Sequence, residues 1–396
     1  MKNMLPKATF SLLSVLLLLA LLFTITAKAQ QMDVAAIKRS TPQQRADWQN
    51  KMIKNEAKAN AQQNFNKVDA WLNDNTPAMG GRSVLLVYKD GKVVYNKAVN
   101  DLSRRQKMVN KFMARRQNKT ANLDDYNSTT KIPIASCSKW LSAALVMTFV
   151  DEGKLKLTDT VGKYLPILSQ HGKGNITLSQ CLSHTTGINP PSLKESLQEM
   201  RGVNTMDEAI ADIANLPMEG EPGTVFHYSN AGLQIAGAII EKISSKDFHT
   251  LFAERIAGPL EMKNSDFGAS KVALPAGGAN SSADDYTNFL AMILNKGMYR
   301  GKRILSEKSI AEMQVNRVTA DVKIGYAPAE AGTMGYGYGE WVMGPNMVSS
   351  PGLFGSFPMV DNKGYYTAFL LCYYLKNDGR GERYKQLAGL LQEALK

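Results

Sequence analysis

The 396-residue chain is poor in the residues that most directly announce a chemistry. It has three cysteines, Cys137, Cys181 and Cys372. Their odd number and scattered spacing exclude a disulfide framework, and no C-x-x-C is present. Cys181 and Cys372 lie in apolar stretches and read as small buried hydrophobes. Cys137 has no histidine pairing to make it a thiolate nucleophile. The four histidines form no ligand spacing, so zinc is not expected and no other cofactor is implied. G-x-S-x-G is absent, which excludes the nucleophile elbow of an α/β-hydrolase. Gly335-Tyr-Gly-Tyr-Gly339 lacks the lysine and helix of a phosphate loop. It reads instead as shaping a strand beside a site, with Tyr336, Tyr338 and Trp341 either lining a pocket or packing in the core. Acids are in the minority, 35 against 47 Lys and Arg, for a net charge of +12. No nucleic-acid-binding module accompanies that excess, so nucleic acid is not an expected partner.

The first 29 residues carry their own signal. Lys2 and Lys7 precede an apolar run from Phe10 to Phe23, and Ala27-Lys28-Ala29 stands before Gln30-Gln31. This is the layout of a secretory signal peptide with an A-x-A cleavage site. The alternative, an uncleaved anchor, would need about 20 apolar residues. The expectation is a secreted or periplasmic protein cut after Ala29. No cysteine follows the run to take a lipid, and no integral membrane segment remains after cleavage. Residues 30–80 read as a helical N-terminal extension lying over the surface of the main domain, and 81–396 as that domain. Part of the positive excess is local: Arg104, Arg105, Lys107, Lys111, Arg115, Arg116 and Lys119 share one stretch. It is either a solvated basic helix or loop, or a contact for an anionic surface or substrate through residues 104–119.

Within the main domain, Ser83–Tyr88 and Val93–Tyr95 flank Asp90-Gly91, a hairpin signal. Ser136–Gly153 has the apolar spacing of a helix, with Ser136 at its start. Further helices are expected at Met206–Asn215, Asn230–Ile243, Phe248–Ala257, Ser282–Leu294 and Arg383–Leu395. Strand signals return at Gly339–Met343, Leu353–Val360 and Tyr365–Tyr374. Strands at both ends and helices between predict an α+β fold: one sheet built from both termini, with a helical subdomain inserted at about 150–280.

Ser136-Cys137-Ser138-Lys139 matches S-x-x-K. On a helix, residues i and i+3 share a face, so the hydroxyl and the amine can meet. A serine hydroxyl needs a base to become a nucleophile. A lysine serves only if burial or nearby positive charge lowers its pKa. The second match, Ser128–Lys131, precedes Ile132-Pro133, which favours extended backbone, and reads as structural. Tyr228-Ser229-Asn230 follows a Pro-Gly turn and opens a helix. Tyr228 can relay a proton to the leaving group, and Asn230 can hold the lysine or a substrate carbonyl. Tyr286-Thr287-Asn288 repeats the spacing inside a helix and reads as surface packing. His184 reads as a hydrogen-bonded structural residue; His227, beside Tyr228, stands at the edge of the site.

Together with these motifs, Phe149–Asp159, Tyr164-Leu-Pro166, Ile176-Thr-Leu178, Leu182-Ser-His-Thr-Thr-Gly187, Gly258-Pro-Leu-Glu-Met262, and Gly277-Gly278 leading into Ser282-Ala-Asp-Asp285 resemble the serine β-lactamase and penicillin-binding-protein superfamily. The branch is that of class C β-lactamase-like esterases and peptidases, over roughly residues 80–395. The resemblance implies a β-lactamase/transpeptidase-like architecture: an antiparallel sheet flanked by helices, beside an all-helical subdomain. It also implies an acyl-enzyme on Ser136. The family's third motif, Lys-Thr-Gly or His-x-Gly, corresponds here to Ser350-Pro351-Gly352, without a basic first residue. That residue helps bind the substrate carboxylate in β-lactamases and carboxypeptidases. Gly352 permits close substrate approach, and the Leu353 N–H can complete an oxyanion hole. The reading is a serine hydrolase acting on a small-molecule or peptide-like acyl substrate, with esterase-type chemistry favoured. The alternatives are a β-lactamase or D-alanyl-D-alanine carboxypeptidase with a basic residue reaching in from elsewhere, an acyltransferase, or an inactive binding or sensor protein.

Overall fold

Strands from the two ends of the chain meet in one antiparallel sheet. The computed structural model describes Gln43, Asp47 and residues 64–116, 118, 120–191, 202–376 and 378–396. The expected signal peptide and most of the expected extension lie outside the described residues. The larger compact unit runs from Phe65 to Lys396. Its main sheet has seven strands: β1 (Arg82–Lys89), β2 (Lys92–Asn100), β3 (Gly335–Tyr336), β4 (Trp341–Val342), β5 (Met347–Ser349), β6 (Phe357–Asp361) and β7 (Tyr366–Cys372). Their order is β2-β1-β7-β6-β5-β4-β3, and every neighbouring pair is antiparallel. Asp90 (φ 52°) and Gly91 (φ 78°) close the first hairpin in the left-handed region that its turn requires.

Both faces of the central strands are buried, and the alternation of side chains divides them between two cores. Val84 and Leu86 of β1, with Phe369 and Leu371 of β7, face the larger core. Leu85, Val87, Leu370 and Cys372 face the smaller one. Helix α1 (Asn66–Asn75) closes that smaller side through Val68 and Leu72, together with the C-terminal helix through Leu387 and Leu391. Thus α1 is packed into the domain rather than laid over it. After β2 comes α2 (Arg104–Arg116), which buries no residue. On the other side of the sheet come α3 (Ser138–Asp151), α4 (Met206–Asn215), α5 (Ala231–Ser244) and α6 (Ala283–Leu294), of which α6 packs on β1, β6 and β7 while α5 packs on α3 and α4. Helix α3 is buried almost all round, from Ser138 to Phe149, as expected of a core helix. Thr205 caps α4 by accepting from the Glu208 N–H, and Ser282 caps α6 by accepting from Asp285. The chain ends in α7 (Arg380–Ala394).

Three expectations change. The strand expected from Leu353 begins only at Phe357, because Gly352 N–H bonds Ser356 O at 2.8 Å and Gly355 takes φ 93°. Residues 352–356 are therefore a turn. Tyr286 is not a surface residue: it is fully buried, stacks on Phe369 and donates its hydroxyl to Cys137 O at 2.8 Å. Finally, the helix expected from Ser136 starts at Ser138, preceded by a single 3-10 turn over Ala135–Cys137.

Candidate active site

That 3-10 turn projects Ser136 at the mouth of the fold. Ala135 sits at φ 47°, a conformation disfavoured for a side chain with a Cβ. The turn is held from behind. Ser138 Oγ donates to Ala135 O at 2.5 Å and accepts from Ala279 N at 2.9 Å, while Tyr286 holds the Cys137 carbonyl. Gly352 presses on the same turn; a Cβ there would lie 2.3 Å from Ile134 O.

Lys139, the second residue of α3, is 1% exposed. Its Nζ donates to Ser136 Oγ at 3.2 Å, Asn230 Oδ1 at 3.4 Å and Ala276 O at 2.8 Å. No carboxylate is among these partners, and burial pushes its pKa from 10.5 down to about 7. The ammonium lies 4.7 Å above the Tyr228 ring. Lysine therefore meets the face of Tyr228 rather than its hydroxyl. Burial raises the Tyr228 pKa, and the adjacent Ser136 hydroxyl opposes part of that rise. At neutral pH Tyr228 is a phenol with a proton to give.

Tyr228 follows the short strand Val225–His227, which pairs in parallel with Lys323–Tyr326; its N–H donates to Tyr326 O at 3.0 Å. His184 fixes the chain on both sides of it. The His184 carbonyl accepts from His227 N at 2.9 Å, and its ring Nδ1 accepts from Ser229 N at 3.5 Å. That leaves Nε2 carrying the proton, which it donates to Tyr336 Oη at 3.1 Å. Burial, then the charge of Lys139, drives the His184 pKa well below its ordinary value, so the ring is neutral. His227 instead pairs with Glu219 at 2.7 Å.

A cavity of about 680 Å³ opens over this cluster, lined by Ser136, Lys139, Tyr228 and Asn230 on one side and Trp341, Gly352 and Leu353 on another. Among the described residues, no acceptor engages the Ser136 or Leu353 backbone N–H. Ser350 differs from its expected place. It is 1% exposed and absent from the cavity wall, and it donates its hydroxyl to Gly339 O at 2.9 Å and Ser136 O at 3.3 Å. It braces the Ser136 turn instead of facing the cavity. Tyr336 and Tyr338 are core residues, whereas Trp341 reaches the cavity. Ser128 bonds Asp284 at 2.8 Å, away from this site. All three cysteines are free and buried, and burial drives the Cys137 thiol pKa well up, away from thiolate chemistry.

Several residues at the site had no distinct sequence signal. Arg380 and Lys385 of α7 line the cavity. Arg380 is 2% exposed and pairs with Glu330 at 3.5 Å. Both basic residues look like ordinary surface charge until α7 is seen to pack beside β6, where Tyr384 stacks on Phe357. Glu340 is fully buried, with neither carboxyl oxygen bonded among the described residues; desolvation raises its pKa far above the carboxylate range. Among the described residues, no group of three or more His, Cys, Asp or Glu is placed to hold a metal ion.

The profile of the Beta-lactamase family matches residues 75–392, from the end of α1 through most of α7. The chain belongs to that family. A crystal structure of a candidate β-lactamase from Bacteroides dorei DSM 17855 superposes with a TM-score of 0.70 at 26% identity, covering 84% of this chain and 98% of that one. A family VIII carboxylesterase superposes at TM-score 0.63 and 20% identity, covering 82% and 97%. Protein Rv1367c of Mycobacterium tuberculosis is 27% identical over 247 residues, 49% of this chain and 61% of its own length. The match thus spans less than two thirds of that relative. The β-lactamase/transpeptidase fold is established.

Proposed function

We propose that the protein is an exported serine hydrolase that cleaves carboxylic esters, and more slowly amides, through an acyl-enzyme on Ser136. The observation that carries this reading is Lys139: a buried amine with a pKa near 7 and its nitrogen 3.2 Å from the Ser136 hydroxyl. Neutral Lys139 takes the hydroxyl proton as Oγ attacks the substrate carbonyl carbon. The unengaged N–H groups of Ser136 and Leu353 receive the oxyanion. As the intermediate collapses, Tyr228 gives its proton to the departing alkoxide. The acylated Ser136 oxygen has no proton to pass on, so Lys139 stays an ammonium, 3.2 Å from that oxygen, and Tyr228 a phenolate ready to take a proton from water. Water then attacks the acyl carbon by the same relay in reverse, releasing the acid and restoring Ser136.

Esters are favoured because the position that supplies a carboxylate-binding cation in the superfamily is Ser350, buried behind the cavity. The carboxylesterase neighbour supports this at the level of fold only. Arg380 and Lys385 on the cavity wall favour a second reading, a β-lactam or D-alanyl-D-alanine substrate whose carboxylate meets α7. The first test is labelling by a fluorophosphonate: the wild type reacts and Ser136→Ala does not. Labelling that persists in Ser136→Ala refutes the nucleophile. Turnover of p-nitrophenyl esters with inert nitrocefin and D-Ala-D-Ala peptides supports the ester reading. Nitrocefin or peptide turnover that falls in Arg380→Ala supports the second.

A further inference from the structure

Helix α2 has its amphipathicity turned outward. At 3.6 residues per turn, Gln106, Asn110 and Ala114 stack on one side, and these three are the half-buried ones. Gln106 moors that side: its Nε2 donates to Pro77 O at 2.9 Å and its Oε1 accepts from Ser103 N at 2.9 Å. The apolar residues are elsewhere. Met108, Val109, Phe112 and Met113 are 66%, 52%, 59% and 41% exposed. Arg104, Lys107, Lys111 and Arg115 run along one border of that face, and Arg105 and Arg116 stand at its ends. None of these six cations has an ion-pair partner among the described residues. No acid occurs between Asp101 and Asp124.

Folding gains nothing from exposing two methionines, a valine and a phenylalanine on about a turn and a half of helix; a clustered apolar face with a basic border implies something that covers it. A soluble polyanion would use the cations and leave the apolar residues wet. A protein groove would use the apolar residues and require acids matched to each cation. A bilayer with anionic headgroups uses both at once: the apolar side chains enter the acyl boundary while Lys and Arg reach up to the phosphates. We propose that α2 is a membrane-surface docking helix, through which the protein sits on an anionic lipid bilayer without spanning it. The surface is separate from the Ser136 chemistry and stands without it.

The experiment uses the chain beginning at Gln30, which lacks the apolar leader but keeps the whole unit from Phe65. It is sedimented with vesicles of phosphatidylcholine alone and of phosphatidylcholine mixed with phosphatidylglycerol. Binding is expected only to the mixed vesicles and is weakened by salt. The double variant Met108→Ser, Phe112→Ser loses it. The quadruple variant Arg104→Gln, Lys107→Gln, Lys111→Gln, Arg115→Gln weakens it at least about a hundredfold, taking roughly fivefold per cation. Both variants alter exposed side chains, so fluorophosphonate labelling of Ser136 at the wild-type rate shows them folded. Met108→Cys carrying an environment-sensitive dye reports insertion, since the native cysteines are buried. Its emission shifts to the blue on the mixed vesicles. Absence of wild-type binding overturns the proposal. So does binding that survives the Met108→Ser, Phe112→Ser change, which would mark a contact for a polyanion by charge alone.

Discussion

Lys139 should set the acid limit of the reaction. Its pKa of about 7 means that half the molecules carry a neutral base at pH 7. About a tenth do so one unit lower and about a hundredth two units lower. The rate of fluorophosphonate labelling measures Ser136 reactivity without knowledge of the substrate. It should rise roughly tenfold per pH unit up to about 7 and then level. Lys139→Arg should stay near zero at every pH, because a guanidinium keeps its proton; Lys139→Met should do the same. The same group writes a signature on stability. Between about 7 and 10.5 the unfolded chain holds a proton on this lysine that the native protein lacks. The unfolded state binds more protons there, so stability rises with pH across that window. The shift corresponds to roughly 5 kcal/mol, a cost of charge burial that is complete below pH 7 and relieved by about pH 10.5. Lys139→Met removes it, so the variant's gain over wild type, measured by urea unfolding, should be largest at pH 6 and fade toward pH 10. A labelling rate that is flat from pH 5 to 8, or undiminished in Lys139→Met, refutes the assignment of Lys139 as base.

Other outcomes follow from the neighbouring contacts. Tyr228→Phe should lower kcat for ester hydrolysis by roughly 10²–10⁴-fold with KM little changed, since only proton transfer to the leaving group is lost. His184→Ala should spare the Ser136–Lys139 contact, and so part of the labelling rate, but should lower kcat through misplacement of Tyr228; steady-state kinetics beside labelling separate the two. Gly352→Ala should slow labelling sharply, because its methyl would lie 2.3 Å from Ile134 O and displace the nucleophile turn. Glu340 gives a stability trend opposite to that of Lys139. Its pKa is raised, so the native state binds the extra proton and stability falls as pH rises past the ordinary carboxylate range. Glu340→Gln should lose that slope, with a gain in urea midpoint that grows from pH 5 to pH 8.

Local pattern carried the elements whose determinants are near in sequence. Met206–Asn215 was legible to the residue, and Asp90-Gly91 marked its hairpin because the turn's backbone demand is written in two adjacent residues. The proximity of Ser136 and Lys139 followed from helical spacing alone. What escaped depended on distant partners. Tyr286 became a core residue because Phe369 and the Cys137 carbonyl receive it. Ser350 turned inward because Gly339 O and Ser136 O lie behind it, and no local feature of Ser-Pro-Gly specifies those acceptors. Leu353 left the strand because Gly355 adopts a positive φ that a short apolar run does not advertise. The cavity role of Arg380 required α7 to be placed against the sheet, a tertiary fact with no periodicity of its own.

The pairing of β1 with β7 also fixes the order in which this protein can be made. Ser83 is matched with Cys372 and Lys89 with Tyr366, so the first strand waits for the last one. During synthesis the first hairpin keeps one edge of apolar backbone unpaired while the helical middle emerges, a long-range closure that slows folding and exposes an aggregation-prone edge. A truncation before Tyr366 would therefore remove the middle of the sheet rather than its rim. It would separate β1 and β2 from the β3–β6 half that bears Trp341, and would leave α1 without its companion helix.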